Sequence, residues 1–233
     1  MKHIITLILA IAFAATGASA QKLTRYELKV GDFTELKVAD GICVDYKSSA
    51  DSAGYAVMDC PSAIASAITM TTKGKRLNVQ VISDTPITAP LPRITVYSRF
   101  LSKAINTGDS TLRVISPAAG AELELTLEGN GRLVARGISA SEVKGVIKLG
   151  HGNLIITGKC ELARLTSVGK GVLEADGLEA TEASVKVSGT GTVGVWATEK
   201  LSIYGLGSTT IHYKGNPSIK NSSVGISLVP VKE

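Results

Sequence analysis

The chain has 233 residues, of which 44% are hydrophobic, 19% charged and only 4% aromatic, and it carries 24 glycines. Its formal charge of +5 at pH 7 is mild and dispersed, and the densest basic cluster, Lys73-Gly74-Lys75-Arg76, reads as a hairpin tip. Nucleic-acid recognition needs a concentrated basic patch, preferably with aromatics beside it, so no nucleic-acid partner is expected.

Residues 1–20, MKHIITLILAIAFAATGASA, read as a secretory signal peptide. Lys2 gives a basic start, Ile4 to Ala15 an apolar run, and Ala18-Ser19-Ala20 a small-residue cleavage site, so cleavage is expected before Gln21. The apolar run is short for a bilayer span, no other stretch approaches one, and no cysteine follows the cleavage site to accept a lipid. Taking 20 residues from 233 leaves 213, enough for a substantial core, and losing Lys2 lowers the charge from +5 to +4. The mature protein is expected to be exported, to the periplasm, the outer-membrane surface or the medium, with no transmembrane segment.

From Leu23 to Phe100 the residues alternate with period two, the mark of half-buried strands. YELKV, FTELKVA, ICVDYK, YAVMDC, AITMTTK, RLNVQVIS and RITVYS read as strands, and only PSAIASA, at 61–67, fits a helical turn. The connection TPITAPLP, with Pro86, Pro90 and Pro92, is the best boundary candidate. Of three cysteines, Cys43 and Cys60 lie on neighbouring predicted strands, where an oxidising compartment could join them. Cys160 reads as a small buried residue.

After residue 100 an internal repeat appears. Gly-x-Gly recurs at Gly129/Gly131, Gly150/Gly152, Gly169/Gly171 and Gly189/Gly191, with steps of 21, 19 and 20 residues. Thr107-Gly108-Asp109 is a degenerate copy upstream, and Gly207-Ser208-Thr209 is the preferred register for a last one. Two residues past each second glycine stand Leu133, Leu154, Leu173, Val193 and Ile211; four past stand Ala135, Ile156, Ala175, Val195 and Tyr213. These apolar columns should face inward, and the mixed columns between them outward, because successive strand side chains alternate. Upstream, Leu125, Val146, Leu165, Val185 and Ile203 read as a further inward column. A unit of 20 residues cannot bury its own apolar face, so the repeats must stack. The fold class is all-β: a right-handed parallel β-solenoid of about 20-residue coils, over 101–217, with the β-rich segment 21–100 stacked on it or capping it and residues 218–233 as a capping tail, in one continuous domain.

The glycines do not read as a phosphate site. A dinucleotide loop needs GxGxxG followed by a helix, and here strands follow. Calcium repeats carry an Asp within a nine-residue period, which is lacking. No cofactor or metal is expected; Gly129, Gly131, Gly150, Gly152, Gly169, Gly171, Gly189, Gly191 and Gly207 read as corners. His151 and His212 have no serine–acid pattern around them, and no catalytic residue stands out. Glu174 and Asp176 are the best local carboxylate pair for glycoside hydrolysis, but with Arg136 two repeats away they read instead as a solvated, partly paired face. The outward residues Asp176, Trp196, His212 and Lys214 form the most suggestive group. A sole, outward-facing tryptophan beside polar groups stacks on sugars or anchors a partner, unless a loop, the tail or a second subunit covers it.

The leader, the opening GDFTELKVADGICVDY, the Gly-x-Gly ladder and the closing IHYKGNP at 211–217 resemble the "putative auto-transporter adhesin, head GIN domain" family over roughly residues 30–225. The resemblance implies an exported protein of Bacteroidetes-type bacteria with a β-solenoid like those of adhesin heads, and it carries over no catalytic residues. The corners EGNG, LGHG and VGKG depart from the serine-glycine corners usual there. The leading expectation is a non-enzymatic exported solenoid that binds a glycan or an envelope protein through its outward columns. A polysaccharide-active enzyme and a self-assembling homo-oligomeric structural protein are the alternatives.

Overall fold

The computed structural model describes residues 9–11, 23–83, 87 and 89–231. The expected leader lies outside the described residues except for β1 (Leu9–Ile11), which runs antiparallel to Arg25–Glu27. Of the proline-rich connection, Pro86 lies outside them too, while Pro90 and Pro92 lead into the next strand.

Seven strands follow where alternation places them: β2 (Thr24–Lys29), β3 (Glu35–Val38), β4 (Cys43–Ser48), β5 (Tyr55–Cys60), β6 (Ile68–Lys73), β7 (Arg76–Val81) and β8 (Arg93–Ser98). Pro61, with its fixed φ, starts the single helical turn α1 (Ser62–Ala65). Then come β9 (Lys103–Asn106), β10 (Thr111–Ile115), β11 (Gly120–Glu128), β12 (Arg132–Lys148), β13 (Asn153–Gly169), β14 (Val172–Gly189), β15 (Thr192–Gly207), β16 (Thr210–Lys214), β17 (Ser218–Val224) and β18 (Ser227–Pro230).

These strands build a β-solenoid of about six turns. One parallel ladder runs β7–β3–β9–β11–β12–β13–β14–β15–β17, and a second runs β8–β4–β10–β12–β13–β14–β15–β16–β18. Strands β12 to β15 belong to both, bending between them at shifts in register near Ala135/Ile138, Ile155/Thr157 and Ala175/Glu179. The first coils come from the N-terminal segment, because β3 and β4 insert between β7/β8 and β9/β10. The antiparallel strands β2, β5 and β6 close that end.

The interior is the pair of inward columns. Val44, Leu112, Leu133, Leu154, Leu173, Val193 and Ile211 are register partners in sequence and all are fully buried. Each such side chain contributes about 2 kcal/mol of apolar burial, and stacking is the only way a thin coil gains it. At each corner the first glycine takes a left-handed φ and the second stands where the coil below leaves no room. Gly189 has φ +140°, and a Cβ on Gly191 would lie 2.3 Å from the Gly171 carbonyl oxygen.

One inward column differs from its expected membership. Leu125 pairs with Gly145, and Gly145 with Leu165, so Val146 faces outward. The 21-residue step hides an insertion at the corner, where Leu149 adopts φ +56° and protrudes into solvent. Gly145 is needed inside: a Cβ there would meet Ile156 Cδ1 at 2.7 Å and Leu165 Cδ2 at 3.2 Å. Gly145→Val should therefore destabilise the protein by about 2 kcal/mol in urea unfolding, by overpacking.

The tail does not fold across the end of the core. It adds another rung, β17 on β15 and β18 on β16, and Ile226 and Leu228 reach the core from it. The three cysteines are unbonded. Cys43 and Cys60 do not meet because β8 lies between β4 and β5. Cys160 is half-buried and its thiol is pushed up to about 11 by burial and by the charge of Glu161.

Candidate ligand-binding face

Arg136, Glu174, Asp176, Trp196, His212 and Lys214 lie on the outward side of the second ladder, whereas His151 stands at a corner. Its central outward line reads Thr95, Asp45, Arg113, Val134, Ile155, Glu174, Gly194, His212, Val229, one residue per rung at about 4.8 Å. A second line, beside the bend, carries Tyr97, Lys47, Ile115 and Arg136 at one end and Trp196 and Lys214 at the other.

The geometry joins some of these residues and separates others. Trp196 and Lys214 are register partners, and Lys214 Nζ stands 4.0 Å from the centre of the indole. The half-buried Trp196 thus has a lysine of the next rung over its ring, a cation–π contact. Asp176 lies against Gly194, where a Cβ would come within 3.1 Å of its Oδ1. Glu174 accepts a hydrogen bond from Asn153 Nδ2 at 2.9 Å. The two carboxylates therefore face different neighbours. Arg136 is exposed, three rungs from Trp196, and makes no ion pair. Among the described residues no three His, Cys, Asp or Glu side chains gather where one metal ion could bind them.

The sequence reading missed the other half of the face. Asp45, buried on β4, accepts from Arg93 Nη1 at 3.0 Å and Arg113 Nε at 2.6 Å, with Arg113 Nη2 closing a bidentate pair. Burial pushes the Asp45 carboxyl up, but the hydrogen bonds and charges of Arg113 and Arg93 outweigh it and hold it below the ordinary aspartate range. On the next rung Arg132 and Arg136 flank Val134, and neither guanidinium has a carboxylate partner. Val134 points outward yet is 7% exposed, between its register partners Arg113 and Ile155. The degenerate copy at Gly108 would have placed Arg113 in this line, but no local pattern shows that β4 and β8 join it.

The first ladder behaves differently. Its outward charges neutralise one another rung by rung: Arg76 with Glu35, Lys103 with Glu124, Lys144 with Glu122 and Glu142, and Arg164 with Glu142. The second ladder instead concentrates Lys47, Arg93, Arg113, Arg132 and Arg136 around the single carboxylate of Asp45.

The sequence model of the family described as "Putative auto-transporter adhesin, head GIN domain" matches residues 32–217. The chain belongs to this family. Solved structures show the same fold in relatives of low identity. A crystal structure titled as a putative adhesin from Bacteroides fragilis is 22% identical, with 91% of this chain and 96% of that one covered, at a TM-score of 0.79. One titled as a putative adhesin from Parabacteroides distasonis is 21% identical, covering 90% and 96%, at 0.68. Another from the same species, titled as a putative lipid binding protein, is 19% identical, covering 90% and 97%, at 0.64. No curated protein matches the sequence. As a head GIN domain, the chain has its family match starting at residue 32, at the β3 coil, so the coils contributed by β3, β4, β7 and β8 belong to the matched unit.

Proposed function

We propose that this head GIN protein is an exported, non-enzymatic binding protein of the cell envelope, and that the outward side of its second ladder holds an extended acidic glycan. The observation that carries this reading is the pair of unpartnered arginines, Arg132 and Arg136, beside the Asp45-centred arginines on one parallel ladder. Guanidinium groups match carboxylate and sulfate oxygens in a bidentate geometry, and rungs at fixed spacing suit a polymer with regularly placed charges. Trp196 with Lys214, at the far end of the face, offers an aromatic surface and a further cation for the same chain. The adhesin titles of two relatives and the lipid-binding title of a third support a binding role over a catalytic one.

The test is an array of acidic and neutral glycans probed with the exported protein and with Arg132→Ser/Arg136→Ser. Acidic glycans should be retained in a salt-sensitive way, and the double variant should weaken that binding about tenfold or more, since charge-assisted hydrogen bonds contribute about 1.5–3 kcal/mol each. Trp196→Ala/Lys214→Ala should weaken it less. Equal retention of neutral and acidic glycans, or retention unchanged in the arginine variant, would reject this face.

A further inference from the structure

A different feature runs along the Gly-x-Gly corner, at the edge shared by the two ladders. Val168, Ser188, Leu206 and Val224 are successive register partners on β13, β14, β15 and β17. Leu206 and Val224 are 66% and 69% exposed. One rung earlier stands Leu149, 70% exposed, whose backbone N–H donates to the Val168 carbonyl at 3.0 Å. Four steps of the ladder make this strip about 19 Å long. Single exposed apolar side chains need no explanation, but Leu149, Leu206 and Val224 on one edge, with the partly exposed Val168 and the polar Ser188 between them, form a group that does.

Three properties of the strip define what it fits. It is convex, because it follows a corner, so it meets a plane before any other part of either face does. Behind it lies only an open, shallow groove of about 190 Å³, floored by Val168 and Val187 and flanked by Tyr204 and Lys186. The charge beside the strip is positive: Lys170 at a corner tip and Lys186 next to Tyr204 are exposed and unpaired, while Glu128, the one acid on this line, is tied to Lys148 at 2.9 Å.

We propose that this ridge docks on an anionic membrane surface. Leu149, Leu206 and Val224 enter the boundary between headgroups and acyl chains, Tyr204 sits at that level with its hydroxyl toward water, and Lys170 and Lys186 meet lipid phosphates. The solenoid axis then lies along the membrane. Trp196 stands five residues beyond the corner glycine Gly191, about 16 Å along an extended strand, so the Arg136–Trp196 edge of the glycan face points away from the bilayer.

The experiment is flotation of the purified exported protein with vesicles of phosphatidylethanolamine and phosphatidylglycerol. The protein should rise with these vesicles, less so as salt is added, and only weakly with vesicles of phosphatidylcholine alone. Leu149→Asn/Leu206→Ser/Val224→Ser should weaken vesicle affinity about tenfold or more. Asn is chosen at 149 because it tolerates the left-handed φ there. Lys170→Gln/Lys186→Gln should weaken binding to the anionic vesicles about tenfold while leaving the weak phosphatidylcholine binding unchanged. Urea midpoints of both variants should match the parent, since the replaced side chains are exposed, and glycan retention should be unaffected. A parent protein that stays in the soluble fraction, a triple variant that floats as the parent does, or equal binding to phosphatidylcholine would each overturn the proposal.

Discussion

Gly189→Ala is expected to destabilise the protein by about 4 kcal/mol, against about 1 kcal/mol for Gly129→Ala. Both glycines are first residues of a corner and both hold a left-handed φ, +140° and +102°. Alanine is strained at either, by about 1 kcal/mol or somewhat more. The difference lies in what surrounds them. A Cβ at Gly189 would sit 2.1 Å from the carbonyl oxygen of Gly169, and that oxygen already accepts from the Thr190 N–H at 3.0 Å. Relief requires the coils to separate, which breaks the ladder on both sides of the corner. At Gly129 nothing lies within 4 Å of a Cβ. In a solenoid each coil is stabilised only by its neighbours, so a wedge at mid-stack divides one cooperative unit into two. Urea unfolding should show a lower midpoint and a broader transition for Gly189→Ala, and a small parallel shift for Gly129→Ala. Equal losses would mean that the corners need glycine for its conformation alone and not for close stacking.

Which parts of this structure could be read beforehand follows from the range of the signal. Within residues 125–215, strand alternation and a repeat near 20 residues act together, so a column of the sequence is a column of the solenoid. Leu133, Leu154, Leu173, Val193 and Ile211 fall on one line for that reason, and so do Trp196 and Lys214. Reading by fixed spacing fails where a coil gains a residue: the insertion at Leu149 moved Val146 to the surface and brought Gly145 inside. The N-terminal coils were opaque for another reason. Their alternation places each strand, but β4 touches β8 and β10 across separations of about 50 and 68 residues, as the Asp45 contacts to Arg93 and Arg113 show. No local pattern specifies such pairing. The basic half of the ligand-binding face depends on it, so that half becomes visible only in three dimensions.

Asp45→Asn should separate the structural role of that face from its binding role. Asp45 is buried and is the sole acceptor for three guanidinium hydrogen bonds from Arg93 and Arg113. The amide keeps one acceptor oxygen and turns its NH₂ toward a cation, leaving two positive charges uncompensated one rung to either side. Breaking a buried pair costs about 3–5 kcal/mol. The arginine side chains are 45% and 42% exposed and can turn to water, so the low end, about 3 kcal/mol at neutral pH, is expected. The pH dependence has a definite sign. The folded-state carboxyl is held below its ordinary value, so its contribution is complete above about pH 3.9 and is lost as pH falls through the lower, folded-state value. The stability gap between parent and variant should therefore be full at neutral pH and close in strong acid, because the parent falls while the variant does not follow. Glycan retention should move the other way. Removing the one carboxylate among Lys47, Arg93, Arg113, Arg132 and Arg136 raises the positive potential of the face, so folded Asp45→Asn should hold acidic glycans at least as tightly as the parent. A variant that stays folded at neutral pH and yet releases acidic glycans would place Asp45 itself in the binding site and would remove the electrostatic account of the face.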